Sequence, residues 1–259
     1  FLPMRFMRLL TLSAAVFTCA AATADEKFVT IKGQITGGGV PKAEVLNVTT
    51  DKAVCCKDGD LVSSKFEVDA KSKGIKNVVV YLRPDSDDRD AKFPADKIHP
   101  DLAKAKPKQH VIDQPKCQFE PRVVAAREGD TLVVKNSASI AHNTNFSGCG
   151  LEFNNTIPAG KELAASGAFT ADRRPAIFKC DIHPWMEGRV RVFDHPYFAV
   201  TDKDGHFEIK DAPVGKWRIV YWHEGGFHKG RDGALGFPIE VKGDKKTMEV
   251  EKFDLDLPK

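Results

Sequence analysis

The sequence predicts an all-β protein built from β-sandwiches. Its apolar residues occur in short runs rich in β-branched side chains, such as the run from Val78 to Leu82. Turn residues, such as the pair Asp204-Gly205, separate these runs at short intervals. Helical spacing is scarce, and only the stretch from Pro94 to Lys106 has a helical pattern. Short strands between regular turn signals are typical of a sandwich or a barrel.

The first 24 residues have the pattern of a secretory signal. Arg5 and Arg8 flank an apolar run, which ends in small residues before a predicted cleavage point after Ala24. This run is shorter than a membrane span requires, and no later stretch is long enough to cross a bilayer. We therefore expect a periplasmic or secreted protein with no membrane span.

The charge balance argues against nucleic acid as a partner. The full chain has a net charge of +3, and residues 1–24 contain Arg5 and Arg8 but no acid, so the remainder has +1. Neutralising phosphates requires a basic surface, which such a balance does not predict.

Three segments follow the predicted signal. Residues 107–195 hold about seven strand candidates, enough for a complete small sandwich. Residues 196–259 alone would make only a thin sandwich with a small core. We therefore hypothesise that residues 25–106 supply further strands to this C-terminal sandwich. The middle domain, residues 107–195, would then be inserted between these two segments.

One loop between two strand candidates collects three soft metal ligands. Cys180, His183 and Met186 stand three residues apart each time, and His142 follows a strand candidate that can end at the same pole of the sandwich. Thiolate and thioether ligands favour copper over calcium or magnesium, and a thioether is a poor zinc ligand. Two histidines, one cysteine and a weak axial methionine are typical of a blue-copper electron-transfer site.

Residues 117–195 resemble a cupredoxin. The Cys180-x-x-His183-x-x-Met186 spacing is similar to that of the short-loop, amicyanin type within that family. The pair His142-Asn143 matches the family's motif around the copper ligand that comes first in the chain. The resemblance implies a Greek-key β-sandwich that holds one type 1 copper ion. Its ligands would be the imidazoles of His142 and His183, the Cys180 thiolate and the axial Met186 thioether.

The same resemblance implies roles for neighbouring residues and for a partner. Asn143 would tie the two ligand loops together. His183 would be the exposed ligand, and Pro184 and Trp185 would form part of an apolar rim through which electrons leave. A redox protein, such as a c-type cytochrome or a dehydrogenase, would be the partner.

The last segment resembles a carboxypeptidase-regulatory-like, or transthyretin-like, sandwich. The resemblance rests on a Thr-Asp-x-Asp-Gly-x-Phe pattern from Thr201 and a Pro-x-Gly-x-Trp pattern from Pro213. The full prediction is therefore a Greek-key cupredoxin β-sandwich plus a second, smaller transthyretin-like β-sandwich. Chains that pair such modules resemble proteins described as methylamine-utilisation or plastocyanin-like.

The cysteines predict a link between the first segment and the middle domain. The chain has six, of which Cys19 lies in the predicted signal. With Cys180 on a metal, the remaining four can pair completely, and we favour a bridge from Cys55 or Cys56 to Cys117. Export permits such bridges, although the sequence does not determine connectivity and free buried thiols are the alternative.

The sequence favours an electron carrier over an enzyme. Copper oxidases and reductases need further copper ions on paired His-x-His motifs, and the chain contains none. His223 and His228 could form a second metal site, but a fourth ligand has no obvious source. The alternative function is a cell-surface or periplasmic binding module in which copper is structural or a cargo.

Overall fold

The computed structural model describes residues 27–39 and 41–256, so the predicted signal at residues 1–24 lies outside the described part. Strands dominate this part, and the prediction of an all-β fold is confirmed. The helices within it are short: α1 (Lys52–Cys55), α2 (Pro100–Ala103) and two 3-10 turns, Ala95–Lys97 and Asp232–Leu235. None of the described helices is long and apolar enough to span a bilayer.

The strands are numbered along the chain. They are β1 (Phe28–Thr36), β2 (Val79–Pro84), β3 (Gln109–Ile112), β4 (Val123–Arg127), β5 (Thr131–Asn136), β6 (His142–Gly148), β7 (Leu151–Ile157), β8 (Lys161–Ala164), β9 (Asp172–Lys179), β10 (Glu187–Phe193), β11 (Phe198–Val200), β12 (His206–Pro213), β13 (Gly215–His223), β14 (Gly226–Phe227), β15 (Phe237–Val241), β16 (Thr247–Glu249) and β17 (Phe253–Asp254).

Strands β3 to β10 form one sandwich, which we call the central sandwich. One sheet has the order β4-β10-β9-β6-β7, and the other has the order β3-β5-β8. Apolar side chains from both sheets meet in one buried core, which includes Leu132, Phe146, Phe178 and Val190. Burial of this apolar surface holds the sheets face to face.

The two ends of the described chain build a second sandwich together, which we call the flanking sandwich. Strand β1 pairs with β12, β16 and β17 in one sheet. The other sheet has the order β11-β2-β13-β14, with β15 also paired to β13. Ile31, Leu82 and Ile219 are among the side chains that fill the core between these sheets. The domain boundaries at 106/107 and 195/196 and the transthyretin-like resemblance stay predictions.

The two sandwiches pack against each other through strands that are buried on both faces. Leu82 of β2 points into the flanking core, whereas its neighbour Tyr81 points to the interface. This follows from the alternation of side chains along a strand. At the interface Tyr81 and Trp222 meet Val123 and Phe193 of the central sandwich.

A buried ion-pair network also joins the sandwiches. The Arg122 guanidinium, just before β4, donates to both oxygens of Glu224 in the turn between β13 and β14. It also donates to Glu187, 3.0 Å from Nη2, at the start of β10. The side chains of Arg122 and Glu224 are 8% and 1% exposed, so this pair is shielded from solvent, whereas Glu187 is 39% exposed.

A disulfide attaches α1 to the central sandwich. Cys55 is bonded to Cys117 with 5.5 Å between their Cα atoms, which confirms the predicted link. Cys55 is buried in the central core. Cys56 and Cys149 are free thiols, so the complete pairing of the four remaining cysteines is not realised.

His195 at the interface makes the stability of the protein depend on pH. Its ring packs between Phe93 and Phe193, and Nδ1 accepts a hydrogen bond from the Tyr197 backbone N–H. Burial lowers the pKa of His195 from 6.5 to about 3. Between these values the unfolded chain binds a proton that the native state excludes, so the stabilisation is complete above pH 6.5 and is lost as the pH falls.

The free energy of unfolding falls as the pH is lowered from about 6.5 to about 4. We expect His195→Asn to make this slope less steep, by up to about 1.4 kcal/mol per pH unit. Asparagine retains an acceptor for the Tyr197 N–H. Urea unfolding at a series of pH values measures the slope, and His206→Asn at an exposed position is the control. Equal slopes for both variants and the unmodified protein would contradict the assignment.

Candidate metal centre

Pairing of β6 with β9 brings the two predicted ligand segments to the same end of the central sandwich. Asn145 lies opposite Lys179 in this antiparallel pair. His142 begins β6, and the loop after Lys179 contains Cys180, His183 and Met186. Because antiparallel strands run in opposite directions, the start of β6 adjoins the end of β9.

Three predicted ligands converge at this end. The Nδ1 atoms of His142 and His183 are 2.9 Å apart, and Cys180 Sγ is 3.8 Å from His183 Nδ1. All three side chains are at most 1% exposed. Metal bonds of about 2.0–2.3 Å to nitrogen and sulfur would place two nitrogens of one site about 3 Å apart and a nitrogen and sulfur about 3.5–4 Å apart. The donors therefore fit one soft ion.

Met186 lies in the same loop, immediately before β10. Its side chain is 1% exposed and belongs to the central core together with Cys180. Its backbone N–H donates to the His183 carbonyl at 2.9 Å, and its carbonyl accepts from the Cys180 N–H at 3.1 Å. These two bonds fold the loop into a tight turn that carries all three of its soft side chains.

Asn143 bonds to both ligand segments. Its backbone N–H donates to Cys180 Sγ at 3.4 Å, and its Oδ1 accepts from the Asp181 N–H at 3.0 Å. Its own amide donates to Asn154, which donates in turn to the Asp181 carboxylate. Hydrogen bonds of this kind orient the groups that bind a metal.

Burial favours the metal-binding form of His142. It lowers the pKa of this imidazole from 6.5 to about 4, and repulsion by the neighbouring His183 acts in the same direction. Near neutral pH the ring is therefore neutral, and a neutral imidazole is the form that binds a metal.

His183 is covered, so the prediction that it is the exposed ligand is wrong. A carboxylate oxygen of Asp51 lies 3.0 Å from His183 Nε2, and the Thr50 hydroxyl donates to the Ile182 carbonyl at 3.5 Å. We call residues 50–55 the cover segment; its last residue, Cys55, carries the disulfide to the central sandwich. The ring of His183 is 0% exposed as a result.

The apolar rim predicted around His183 is also altered. Pro184 is exposed, but Trp185 is half-buried, and its indole N–H donates to the Cys117 carbonyl at 3.0 Å. The Trp185 ring lies 5.0 Å from the His183 ring, measured between centroids. One wall of the site is therefore fixed to the disulfide rather than open for docking.

Asp51 is the residue of this centre that sequence reasoning missed. It precedes His183 by 132 residues and belongs to no ligand motif. The one available signal was its place four residues before Cys55, in a segment that we expected to be bridged to the middle domain.

We expect Asp51→Asn to weaken copper binding by about 10- to 100-fold while the colour of the copper form is retained. The Asp51 carboxylate accepts a hydrogen bond from the N–H at His183 Nε2. The lone pair of His183 Nδ1 is therefore free to bind a metal. Asp51 has a positive φ of 49°, which asparagine tolerates, and it makes no side-chain cap to α1, so the backbone should be preserved.

Competition with a copper chelator measures this loss of affinity. Asp58→Asn, at an exposed position just beyond α1, is the matched control and should bind as the unmodified protein does. An affinity in Asp51→Asn equal to that control would show that the carboxylate has no effect on the site.

His223 and His228 do not form a second centre in the part of the chain that the structure describes. His223 stacks on Phe66 and accepts from the Gly225 N–H, whereas His228 accepts from the Asp256 N–H. Metal-binding groups of three or more His, Cys, Asp or Glu side chains occur once within that part. The group consists of His142, Cys180 and His183.

No family model matches the chain, and no curated protein matches it. Among solved structures it is similar to a purple cupredoxin from Nitrosopumilus maritimus, with 21% identity, a TM-score of 0.27, and coverage of 32% of this chain and 97% of that one. A variant of amicyanin in its reduced state shows 22% identity, a TM-score of 0.28 and coverage of 43% and 98%.

A copper-containing nitrite reductase from Thermus scotoductus is also similar to part of the chain. It shows 20% identity, a TM-score of 0.31, and coverage of 40% of this chain and 28% of that one. These three similarities each cover less than half of the chain, so its function is argued below from the residues of the site.

Proposed function

We propose that this chain is an exported mononuclear type 1 copper protein that carries one electron at a time to or from a redox partner. The observation that supports this is the convergence of His142 Nδ1, His183 Nδ1 and Cys180 Sγ in a buried pocket. Met186 in the same loop would supply the weak axial ligand. When bound, copper would supply reversible one-electron chemistry between Cu(II) and Cu(I).

The residues of the chain would keep the ligands in one arrangement during this chemistry. Asn143 bonds to Cys180 and to the backbone of the loop, and Asp51 bonds to His183. Burial of all four ligands excludes water from the pocket. A site whose ligands are fixed by neighbouring hydrogen bonds reorganises little when an electron arrives, which favours rapid transfer.

Visible and EPR spectra of the copper-loaded protein test the type of site, and a redox titration tests the role. A carrier should cycle reversibly between the two oxidation states and exchange electrons rapidly with a c-type cytochrome or a dehydrogenase. Absence of a thiolate–copper band would contradict the type 1 assignment. A normal spectrum without reversible cycling would contradict the carrier role alone.

The alternative function is a cell-surface or periplasmic binding module in which copper is structural or a cargo. The cover segment is the observation that favours it, because a ligand that is 0% exposed is poorly placed for direct contact with a partner. A structural copper would bind tightly without rapid exchange, and a cargo copper would transfer to an acceptor protein as an ion.

We expect Met186→Leu to retain the colour of the copper form and to raise its reduction potential. An axial thioether stabilises Cu(II), so its replacement by an alkyl group favours Cu(I). Leucine has a similar volume, which should preserve the core packing at this buried position. Potentiometric titration measures the potential, and an unchanged value would argue against Met186 as a ligand.

A further inference from the structure

A cavity between the two sandwiches is unrelated to the proposed copper ligands. Its volume is about 650 Å³, and it is lined by residues of β2, β9, β10 and β13 together with the segment after β2. None of the four predicted copper ligands lines it. Its volume falls within the range of about 300–1,000 Å³ that is usual for small-molecule sites.

The most unusual residue of the cavity is Arg191 on β10. It is 3% exposed, and its guanidinium lies 5.5 Å from the ring centre of Tyr81, 5.6 Å from that of Phe193 and 5.5 Å from that of Trp222. Arginine favours such aromatic faces because its cation is attracted to their electrons. The rings therefore hold the side chain at the cavity in a fixed orientation.

The hydrogen-bond partners of Arg191 leave its charge without a counter-ion. Nη1 donates to the Arg173 carbonyl, and Nη2 donates to the Tyr81 hydroxyl at 3.3 Å. Nε is buried and has no partner among the described residues. Arg191 takes part in none of the ion pairs found within 4.0 Å in the described part of the chain.

A second buried guanidinium, that of Arg83, lines the same cavity and also lacks a carboxylate partner in the described part of the chain. Arg83 is 7% exposed, and its terminal nitrogens donate to the backbone carbonyls of Ser86, Asp88 and Leu235. It too forms no ion pair with a carboxylate among the described residues.

The charges around the cavity sum to an excess of three positive charges. Six lining residues are cationic and three are acidic, namely Arg83, Arg89, Lys92, Arg173, Arg174 and Arg191 against Asp90, Asp172 and Asp194. Of the acids, Asp90 is paired with Arg173, and Asp172 lies beside Arg174. The existing acids therefore leave the two buried guanidiniums uncompensated.

We propose that this cavity binds a small molecule through an oxyanion group, a carboxylate or a phosphate, with Arg191 as its main partner. An unpaired charge in a buried position is unfavourable, and an anion would remove that penalty. Each terminal nitrogen of Arg191 carries a second N–H beyond the one it donates within the protein, so the guanidinium retains charge-assisted donors for an anion. Tyr81, Phe193 and Trp222 would contact the apolar part of the ligand.

Calorimetric titration of the full chain with two probes, inorganic phosphate and benzoate, tests the proposal. We expect at least one probe to bind, and Arg191→Met to lower its affinity by about 10- to 100-fold, the loss expected for a charged hydrogen bond. The probe that binds more tightly identifies the oxyanion as a phosphate or a carboxylate. Binding of neither probe would overturn the proposal.

Thermal unfolding provides a second measurement that reports on folding at the same time. The bound anion should raise the melting temperature of the unmodified protein but not that of Arg191→Met. Methionine fills a similar volume among the three rings, so the variant should fold. If it does not, Arg83→Met takes its place, with the same expected loss of the anion-dependent shift.

Two controls separate the site from general effects of ions. Potassium chloride at equal ionic strength should produce no comparable shift. Arg231→Met, an exposed position outside the cavity, should bind the anion as the unmodified protein does. An equal shift in Arg191→Met and Arg231→Met would overturn the proposal. Copper absorption is read in parallel, and its loss would concern the proposed copper site alone.

Discussion

Replacing Cys180 with serine will abolish the intense visible absorption of the copper-loaded protein and leave its β-sheet content unchanged. The absorption requires a thiolate bound to copper, and serine supplies a hydroxyl that stays protonated and is a weak copper ligand. The fold should persist because the new hydroxyl can still accept the hydrogen bond that Asn143 N–H donates to Cys180 Sγ.

Visible and circular dichroism spectra measure the two effects in one sample. Cys149→Ser is the matched control, because Cys149 is also a buried free cysteine of the central core but lies outside the ligand cluster. That control should keep the full absorption. Retention of the absorption in Cys180→Ser would remove this residue from the site.

Replacing Arg122 with methionine will destabilise the protein by about 3–5 kcal/mol, because it leaves a buried charge without its partner. Both oxygens of Glu224 accept from Arg122, and the Glu224 side chain is 1% exposed. Removal of the guanidinium therefore strands a carboxylate between the two sandwiches. Urea unfolding followed by circular dichroism measures the loss.

Removing both charges will recover most of this stability. In Arg122→Met combined with Glu224→Gln, neither position carries a charge, so no carboxylate is left stranded at position 224. Arg173→Met is the surface control, because Arg173 and its partner Asp90 are 57% and 77% exposed, and a loss of at most about 1 kcal/mol is expected. A double variant as unstable as Arg122→Met would show that the penalty does not come from the stranded carboxylate.

The sequence was most informative where the chemistry is local. Cys180, His183 and Met186 lie in one loop of seven residues, so their spacing alone predicts that they face one point. His142 required one further step, because it begins β6, a strand without a β-branched run whose pairing with β9 was not predicted. The all-β fold followed from the β-branched runs elsewhere in the chain, because their alternation and turns are local properties.

The covering of His183 could not be read from the sequence. The cupredoxin resemblance covers residues 117–195, whereas Asp51 lies 132 residues before its partner. One acid among the 36 Asp and Glu residues of the chain has no distinguishing pattern. The cationic cavity was equally hidden, because Arg83 and Arg191 come from different sandwiches that meet only through long-range packing.

The sharing of the flanking sheets by both ends of the chain determines the order in which the protein can fold during or after synthesis. The described sheet partners of β1 and β2 are β11, β12, β13, β16 and β17, which are synthesised after β3 to β10. Strands β3 to β10 can meanwhile pair completely among themselves. Until these partners are synthesised, β1 and β2 have unpaired backbone groups, and strands in that condition associate with other chains. A chaperone that binds unfolded segments should therefore matter most during that interval.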